Sequence, residues 1–198
     1  MKYTTPRKEM AMNLYDFDGT IHRGDSSFAF YRFCLLHRPY IAILWPVQLF
    51  AAVACLLHLI DLTHMKELFY LYFRLIDAEK MALAFWKKDL LQNIYPWFYE
   101  VRGENDVLVS ASPEFFLRPA CDELGISHLI ASKVDPKTGK TKGKNCTGKE
   151  KLVRFRSEFP QVIPDRSYYD KPKDLYVSNL AKRRFLIVRG IPVEQKPL

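Results

Sequence analysis

The chain has 198 residues, of which 48% are hydrophobic and 14% aromatic, enough for one core with or without a smaller inserted domain. Its net charge of +8 favours anionic partners: phosphorylated substrates, nucleic acid or an acidic membrane surface. The four cysteines form no C-x-x-C pair and never cluster with the five histidines at ligand spacing, which argues against zinc. The polar segment Met1–Met10 predicts no signal peptide, so we expect reduced thiols and a cytoplasmic location.

The apolar run Met10–Tyr15 predicts a short buried strand, and two carboxylates follow it in Asp16-Phe17-Asp18-Gly19-Thr20. Because residues i and i+2 of a strand share a face, Asp16 and Asp18 point the same way at or just beyond the strand end. Like charges this close repel each other, an arrangement found chiefly where a cation or a reacting group uses it. The alternative is an Asx-type turn, since Asp and Gly are common turn residues.

Helical patterns with almost no strand signal extend from Asp25 to about Val101. Asp25-Ser26-Ser27 offers N-cap residues for a first helix, and Asp77 offers the cap of a later one. We interpret residues 25–102 as an all-helical cap domain inserted into the rest of the chain.

Within this cap, Pro39–Ile60 contains no Asp, Glu, Lys or Arg over 22 residues. A membrane-spanning helix needs about 20 mostly apolar residues, but Pro46 and Gln48 weaken that interpretation. We predict instead a buried pair of cap helices broken near Pro46. The alternative is peripheral attachment to a bilayer through Trp45, Phe50 and their neighbours, which would suggest a lipid or isoprenoid phosphate as substrate.

The second half of the chain alternates strands and helices. Asp106–Ser110 is typical of a buried parallel strand, and Ser112-Pro113-Glu114 predicts a helix start with Ser112 as N-cap. That helix should kink or break at Pro119 and end near Gly125. The further predicted elements are a strand at 129–131, a hairpin within 128–145, a helix from 149, a strand at 167–169 and a last strand at 185–188.

Seven lysines lie between Lys133 and Lys151, interleaved with Gly and Thr. This pattern favours a solvated hairpin over a nucleic-acid-binding patch, because none of the common nucleic-acid-binding signatures accompanies it. We therefore expect no nucleic-acid partner.

Strand–helix alternation on both sides of a helical insert predicts an α/β fold. Residues 1–24 and 103–198 would form a Rossmann-like parallel sheet flanked by helices. Ligands bind such sheets at the carboxyl ends of the strands. Three predicted strands end in polar groups, at Asp16 and Asp18, at Ser110 and at Asp170.

These residues resemble the haloacid dehalogenase-like superfamily, and within it the phosphoserine-phosphatase-like branch, which has a helical cap after its first motif. The resemblance extends from about Asn13 to Val193. The D-x-D-G-T motif is intact, and the other matching positions are Ser110 in the second motif, Lys151 in Gly148-Lys149-Glu150-Lys151 with Lys149 as the reserve, and the acidic pair Asp170 and Asp174.

The resemblance implies a Mg²⁺-dependent phosphatase of small phosphate monoesters. Asp16 would attack phosphorus and form an aspartyl-phosphate, and Asp18 would serve as general acid and then general base. Ser110 would donate to the phosphoryl oxygens, and Lys151 would steady Asp16 and the transferring group. The implied Mg²⁺ ligands are the Asp16 side chain, the Asp18 backbone carbonyl and Asp170, with Thr20 and Asp174 in supporting positions.

Two parts of the chain differ from the family pattern. Lys171 and Lys173 lie between the two acids of the last motif and could compete with Mg²⁺ or reach substrate phosphate. Near the first motif, Arg23 and Asp25 are candidates for substrate or cap contacts, although phosphoserine specificity is not implied. The rival functions are a phosphotransferase of the same superfamily and a membrane-associated phosphatase or binding module that uses the apolar cap.

Overall fold

A computed structural model describes residues 12–196, and its centre is one six-stranded sheet. The strands are β1 (Asn13–Tyr15), β2 (Val107–Pro113), β3 (His128–Ser132), β4 (Arg166–Tyr169), β5 (Arg183–Val188) and β6 (Ile191–Gln195). Their order is β3-β2-β1-β4-β5-β6, and every pair is parallel except β5 with β6. The predicted α/β fold with a parallel sheet is confirmed.

Strand β1 lies between β2 and β4, with Tyr15 opposite Leu108 on one side and Tyr168 on the other. All three residues of β1 are buried, as the apolar run predicted; Met10 and Ala11 lie outside the described residues. Because the three strands are parallel, their carboxyl ends lie at one edge of the sheet, and the chain segments that follow them come together there.

Between β1 and β2, every regular element is helical within the described range. The helices there are α1 (Ser26–His37), α2 (Trp45–Leu56), α3 (Leu62–Phe69), α4 (Ala78–Asn93) and α5 (Pro96–Val101), with 3₁₀ segments at Pro39–Leu44 and Tyr70–Leu75. The predicted caps are confirmed: Asp25 accepts from the Phe28 N–H at 2.9 Å, and Asp77 from the Lys80 N–H at 3.0 Å. The cap boundaries at 25 and 102 stay a prediction.

The remaining helices are α6 (Glu114–Leu124), α7 (Lys149–Glu158) and α8 (Leu175–Ser178). Helix α6 packs against the helical insert. Trp86 of α4 is buried against Phe116 of α6 and donates its indole N–H to the Phe116 carbonyl at 2.5 Å. Phe30 of α1 stacks on the same Phe116 ring, with centroids 4.6 Å apart. These contacts fix the insert over the sheet edge.

Helix α6 begins differently from the prediction. Strand β2 continues to Pro113, which occupies the N-cap, so Ser112 belongs to the strand and does not cap the helix. Pro119 lies inside the helix without breaking it, and Gly125 ends it in a left-handed conformation with φ 69°, as predicted.

Two elements near the ends of the predicted pattern also differ. The strand at 185–188 is not the last: Arg189 and Gly190 turn the chain with φ 51° and 81°, and β6 pairs antiparallel with β5. The predicted hairpin forms only one isolated bridge, between Val134 and Thr141.

The prediction of buried helices at 39–60 is wrong. The buried residues of that segment are Ile41, Gln48, Ala51 and Ala54, whereas its large apolar side chains are mostly exposed. By length and composition, Pro39–Leu56 could cross a membrane, with a mean hydropathy of 1.8 and 22% of its residues buried. The mistake came from equating apolar composition with burial.

Candidate active site

Asp16 lies directly after β1, where its N–H donates to the Tyr168 carbonyl at 3.0 Å. Lys151, in the first turn of α7, contacts Asp16 directly: its Nζ lies 2.6 Å from Asp16 Oδ1 and 2.7 Å from Asp174 Oδ1. The lysine is only 1% exposed. Lys149, the reserve candidate, points to the Tyr176 ring instead, 5.6 Å from its centroid.

Burial opposes the positive charge of Lys151, but the carboxylates of Asp16 and Asp174 outweigh burial and raise the pKa of this lysine. It is therefore an ammonium group at neutral pH. Burial and the Asp16 charge likewise raise the pKa of Asp174. The lysine and the two carboxylates form a buried ionic triad in which each charge depends on the others.

Asp16, Asp170 and Asp174 each offer a carboxylate oxygen, and these oxygens lie within 4.8 Å of one another. Burial, followed by the Asp16 charge, raises the pKa of Asp170 to about 6. Its Oδ1 is buried without a hydrogen-bond partner in the described chain. An all-oxygen, negatively charged cluster with an unsatisfied oxygen fits a hard cation such as Mg²⁺.

Gly19 of the first motif makes room for Asp170. Its φ is +77°, and a Cβ atom at this position would lie 2.3 Å from Asp170 Oδ2. The glycine therefore serves both the turn after β1 and the close approach of the acid that follows β4.

The Asp18 side chain lies apart from the three clustered acids. Its Oδ1 accepts from the Ser26 N–H and its Oδ2 from the Ser112 hydroxyl, both at 2.7 Å. Burial raises the pKa of Asp18, although these two hydrogen bonds oppose the shift. A fixed carboxyl group with a raised pKa suits proton transfer better than metal binding. Ser112, whose role the sequence did not reveal, positions it.

Ser110 lies in the middle of β2 and not at its end as predicted, just after the regular pairing of Val107–Val109 with β3; its hydroxyl oxygen accepts from the Ser112 N–H at 3.1 Å. Thr20 is fully buried, and its hydroxyl has no hydrogen-bond partner among the described residues. Asp25 caps α1 and also faces the cavity, whereas Arg23 lies over the Tyr95 ring, 5.3 Å from its centroid, outside the cavity lining. Lys171, one of the two lysines between the acids of the last motif, has its Nζ 3.3 Å from Asp170 Oδ2.

A cavity of about 290 Å³ lies beside α3, whose Leu62, Met65 and Lys66 contribute to its lining. The predicted residues that line it are Asp16, Asp18, Asp25, Ser110, Lys151, Lys171 and Lys173.

Lys66 of α3 also lines this cavity, although no motif or spacing around it indicated a functional role. Its Nζ donates to the Ala111 carbonyl at 3.0 Å and to Asn145 Oδ1 at 3.3 Å. Burial and the nearby Lys173 lower the pKa of Lys66 to about 8. The insert thus contributes a cation to a cavity whose acids come from the sheet.

The sequence profile of haloacid dehalogenase-like hydrolases matches residues 14–177, from β1 through α8. This chain belongs to that family. The predicted superfamily is confirmed, and the match covers most of the chain.

Individual proteins are similar to this chain over different lengths. "Protein CicA" from Caulobacter vibrioides is 30% identical over 122 residues, which cover 58% of this chain and 54% of that protein. The chain thus matches about half the length of this curated relative.

Two solved structures share the fold. A protein of unknown function from Bordetella pertussis Tohama I has a TM-score of 0.73 and 16% identity, covering 89% of this chain and 90% of that one. A phosphoserine phosphohydrolase-like protein from Francisella tularensis has a TM-score of 0.57 and 16% identity, covering 92% and 89%. Both therefore resemble this chain through the insert as well as the sheet.

Proposed function

We propose that this hydrolase is a Mg²⁺-dependent phosphatase that cleaves a small phosphate monoester through an aspartyl-phosphate on Asp16. One observation carries the proposal: Lys151 holds one oxygen of Asp16 at the end of β1, at a cavity that Asp18 also lines. A nucleophile, an acid and a fixed cation therefore face the same small volume. The similarity to a phosphoserine phosphohydrolase-like protein supports the same reaction class.

In the first step, the Asp16 oxygen that Lys151 does not hold attacks phosphorus, and the bond from phosphorus to the leaving oxygen breaks. Asp18 gives its proton to that oxygen, so the product leaves as a neutral alcohol. In the second step, Asp18 takes a proton from water, which attacks the acyl phosphate and returns Asp16 with inorganic phosphate. Ser110 and Lys151 stabilise the phosphoryl oxygens throughout.

Asp16, Asp170 and Asp174 would hold the Mg²⁺ ion, together with the Asp18 backbone carbonyl that the family pattern implies. When bound, the ion would neutralise charge on the phosphoryl group and the surrounding carboxylates. Lys171 and Lys173 line the cavity and add positive charge near the substrate phosphate. The partner we propose is a small phosphorylated molecule, and a cytoplasmic location stays a prediction.

The decisive test is Asp16→Asn with p-nitrophenyl phosphate and Mg²⁺. We expect hydrolysis to fall by at least about a thousandfold because the nucleophile is lost, with an unchanged circular dichroism spectrum. Asp122→Asn, on the exposed face of α6, is the matched control and should retain wild-type turnover.

Unchanged turnover in Asp16→Asn would remove Asp16 as the nucleophile. If the wild type hydrolyses neither this ester nor any of a panel of phosphorylated metabolites, the phosphatase proposal is wrong and a binding module is favoured. Transfer of phosphate to an added alcohol in place of water would instead identify a phosphotransferase.

A further inference from the structure

Helix α2 has the reverse of the usual arrangement of a surface helix. Its buried stripe consists of Gln48, Ala51 and Ala54, the small and polar residues of the helix. Gln48 accepts from the Tyr31 hydroxyl at 2.8 Å and donates to the Phe69 carbonyl at 3.0 Å. The large apolar side chains point outward, whereas a helix in contact with water normally buries them.

The outward side chains continue beyond both ends of the helix. We call apolar cap surface the exposed residues Ile43, Trp45, Leu49, Phe50, Val53, Leu56, Leu57 and Leu59. Within this set Ile43 is 76% exposed, Phe50 64% and Leu56 79%. Contiguous apolar patches of this kind mark sites that another apolar phase or surface covers.

The charges around the patch favour an anionic lipid surface over a second copy of the chain. No Asp, Glu, Lys or Arg lies within 39–60, and the segment is bordered by the exposed Arg38 on one side and the exposed Asp61 on the other, so the positive charge comes from elsewhere. The lysine-rich loop is fastened to the neighbouring α3, because the Thr141 N–H donates to Glu67 at 2.8 Å. Its exposed cations are Lys133, Lys137, Lys140, Lys142 and Lys144. Two copies with a net charge of +8 repel each other, whereas anionic lipid attracts each copy.

The geometry fits a helix that lies in the bilayer surface. Pro39–Leu56 is long enough to cross a bilayer, but a spanning helix would have to turn all of its faces away from the rest of the protein, and one face of α2 is not free to do so. Its Gln48 stripe is occupied by contacts within the protein. Trp45 is half-exposed, with its indole N–H bonded to the Tyr31 hydroxyl at 2.9 Å, so its apolar body remains available to lipid.

We propose that the apolar cap surface docks the protein on an anionic lipid bilayer, with α2 lying in the interface. Helix α3 follows directly, and its half-exposed Leu62 also lines the catalytic cavity. Docking would therefore bring the rim of the cavity close to the membrane surface. The proposal concerns binding alone and does not depend on the phosphatase activity.

The test is flotation with phosphatidylcholine vesicles that contain or lack phosphatidylglycerol. The wild type should float with the anionic vesicles and less with the neutral ones, and salt should weaken binding. The triple variant I43S/L49S/F50S should partition at least about tenfold less, because three apolar side chains no longer enter the interface. V153S/I163S/I191S replaces three apolar residues of the sheet region that are also more than half exposed, and it should float like the wild type.

Trp45 provides a second readout, since it is the one of the three tryptophans on this surface. Its emission should shift to the blue and be quenched by brominated lipid, and Trp45→Phe should lose the quenching.

A wild type that floats with neither vesicle, or two triple variants that float equally, would overturn the proposal. A wild-type dimer that I43S/L49S/F50S converts to a monomer, without flotation, would identify a second copy as the occupant. Hydrolysis by a protein that fails to float would leave the phosphatase proposal standing by itself.

Discussion

The sheet edge buries charged groups, whereas α2 exposes apolar groups, and both arrangements are costly for a protein in water. At the edge, Lys151 is enclosed by Asp16 and Asp174, so each desolvated charge has a partner within the chain. On α2, Leu49 and Phe50 have no comparable cover among the described residues. The cost of burying charge at the sheet edge is therefore offset by contacts within the chain. The cost of exposing apolar side chains on α2 can be offset only by a partner outside the chain.

Lys151→Met should produce the largest effect, because it leaves Asp16 and Asp174 buried without their cation. We expect a loss of about 3–5 kcal/mol in the free energy of unfolding, measured by urea denaturation, together with loss of phosphatase activity. Lys149→Met is the matched control, since Lys149 is exposed two residues away; it should change stability by no more than about 0.5 kcal/mol. Equal effects of the two variants would show that the buried triad is not what the sheet edge depends on.

Adding Mg²⁺ should stabilise the carboxylate cluster at the sheet edge and should have no effect on the exposed apolar side chains of α2. At a hundred times its dissociation constant, the ion should add about 2.7 kcal/mol to the free energy of unfolding, visible as a higher Tm. Asp170→Asn should abolish most of this shift, whereas Asp135→Asn in the exposed turn should retain it. Chelation with EDTA should stop hydrolysis. An equal Mg²⁺ shift in Asp170→Asn would exclude Asp170 as a ligand.

Lys66 should produce a smaller effect, confined to substrate binding. Its pKa of about 8 means that the ammonium form is lost as the pH rises through that value, so KM should rise about tenfold with little change in kcat. Lys66→Met should raise KM at all pH values and flatten the profile, and Lys66→Arg should keep KM low above pH 8. Lys80→Met, exposed on α4, should leave the profile unchanged.

The lowered pKa of Lys66 also determines how its contribution to the free energy of unfolding changes with pH. Between about 8 and the ordinary value of 10.5, folded Lys66 binds fewer protons than the unfolded chain, so its contribution to stability rises with pH in that range. A KM profile that is flat around pH 8 in the wild type would show that the Lys66 charge does not face the substrate.

Replacing residues of the apolar cap surface should have the smallest effect on folding. In I43S/L49S/F50S, each substitution should change the free energy of unfolding by no more than about 0.5 kcal/mol, because the side chains are already in water. Ala51→Ser, in the buried stripe, is the comparison and should destabilise more. Cooperative destabilisation of several kcal/mol by the exposed triple variant would mean that these side chains pack within the protein.

Local sequence was enough for the motif residues, because the chemistry is encoded in short segments at strand ends. Asp16 and Asp18 after β1 and Lys151 at the start of α7 could be selected as candidates this way, and all three line one cavity. The helix caps at Asp25 and Asp77 could be predicted from their neighbours. Lys66 could not, since its role depends on α3 crossing a sheet edge that is formed by distant segments. Predicting Ser112 as a cap failed for a related reason: the hydroxyl goes to Asp18, which lies far away in the chain.

The remaining errors have equally physical causes. Apolar composition predicted burial for α2, but the helix packs through Gln48 and two alanines. Strand β6 was not predicted; it contains Pro192, which an edge strand of a sheet tolerates. The Arg189-Gly190 turn was the available signal for that last hairpin.

The close approach of Gly19 and Asp170 has a consequence for how this sequence can vary. A Cβ atom at position 19 would collide with the carboxylate at position 170, so the glycine cannot be replaced while the aspartate keeps its place. A natural variant with alanine at 19 would need a shorter or displaced side chain at 170. Two positions at opposite ends of the chain are therefore expected to covary as a pair, although no bond joins them.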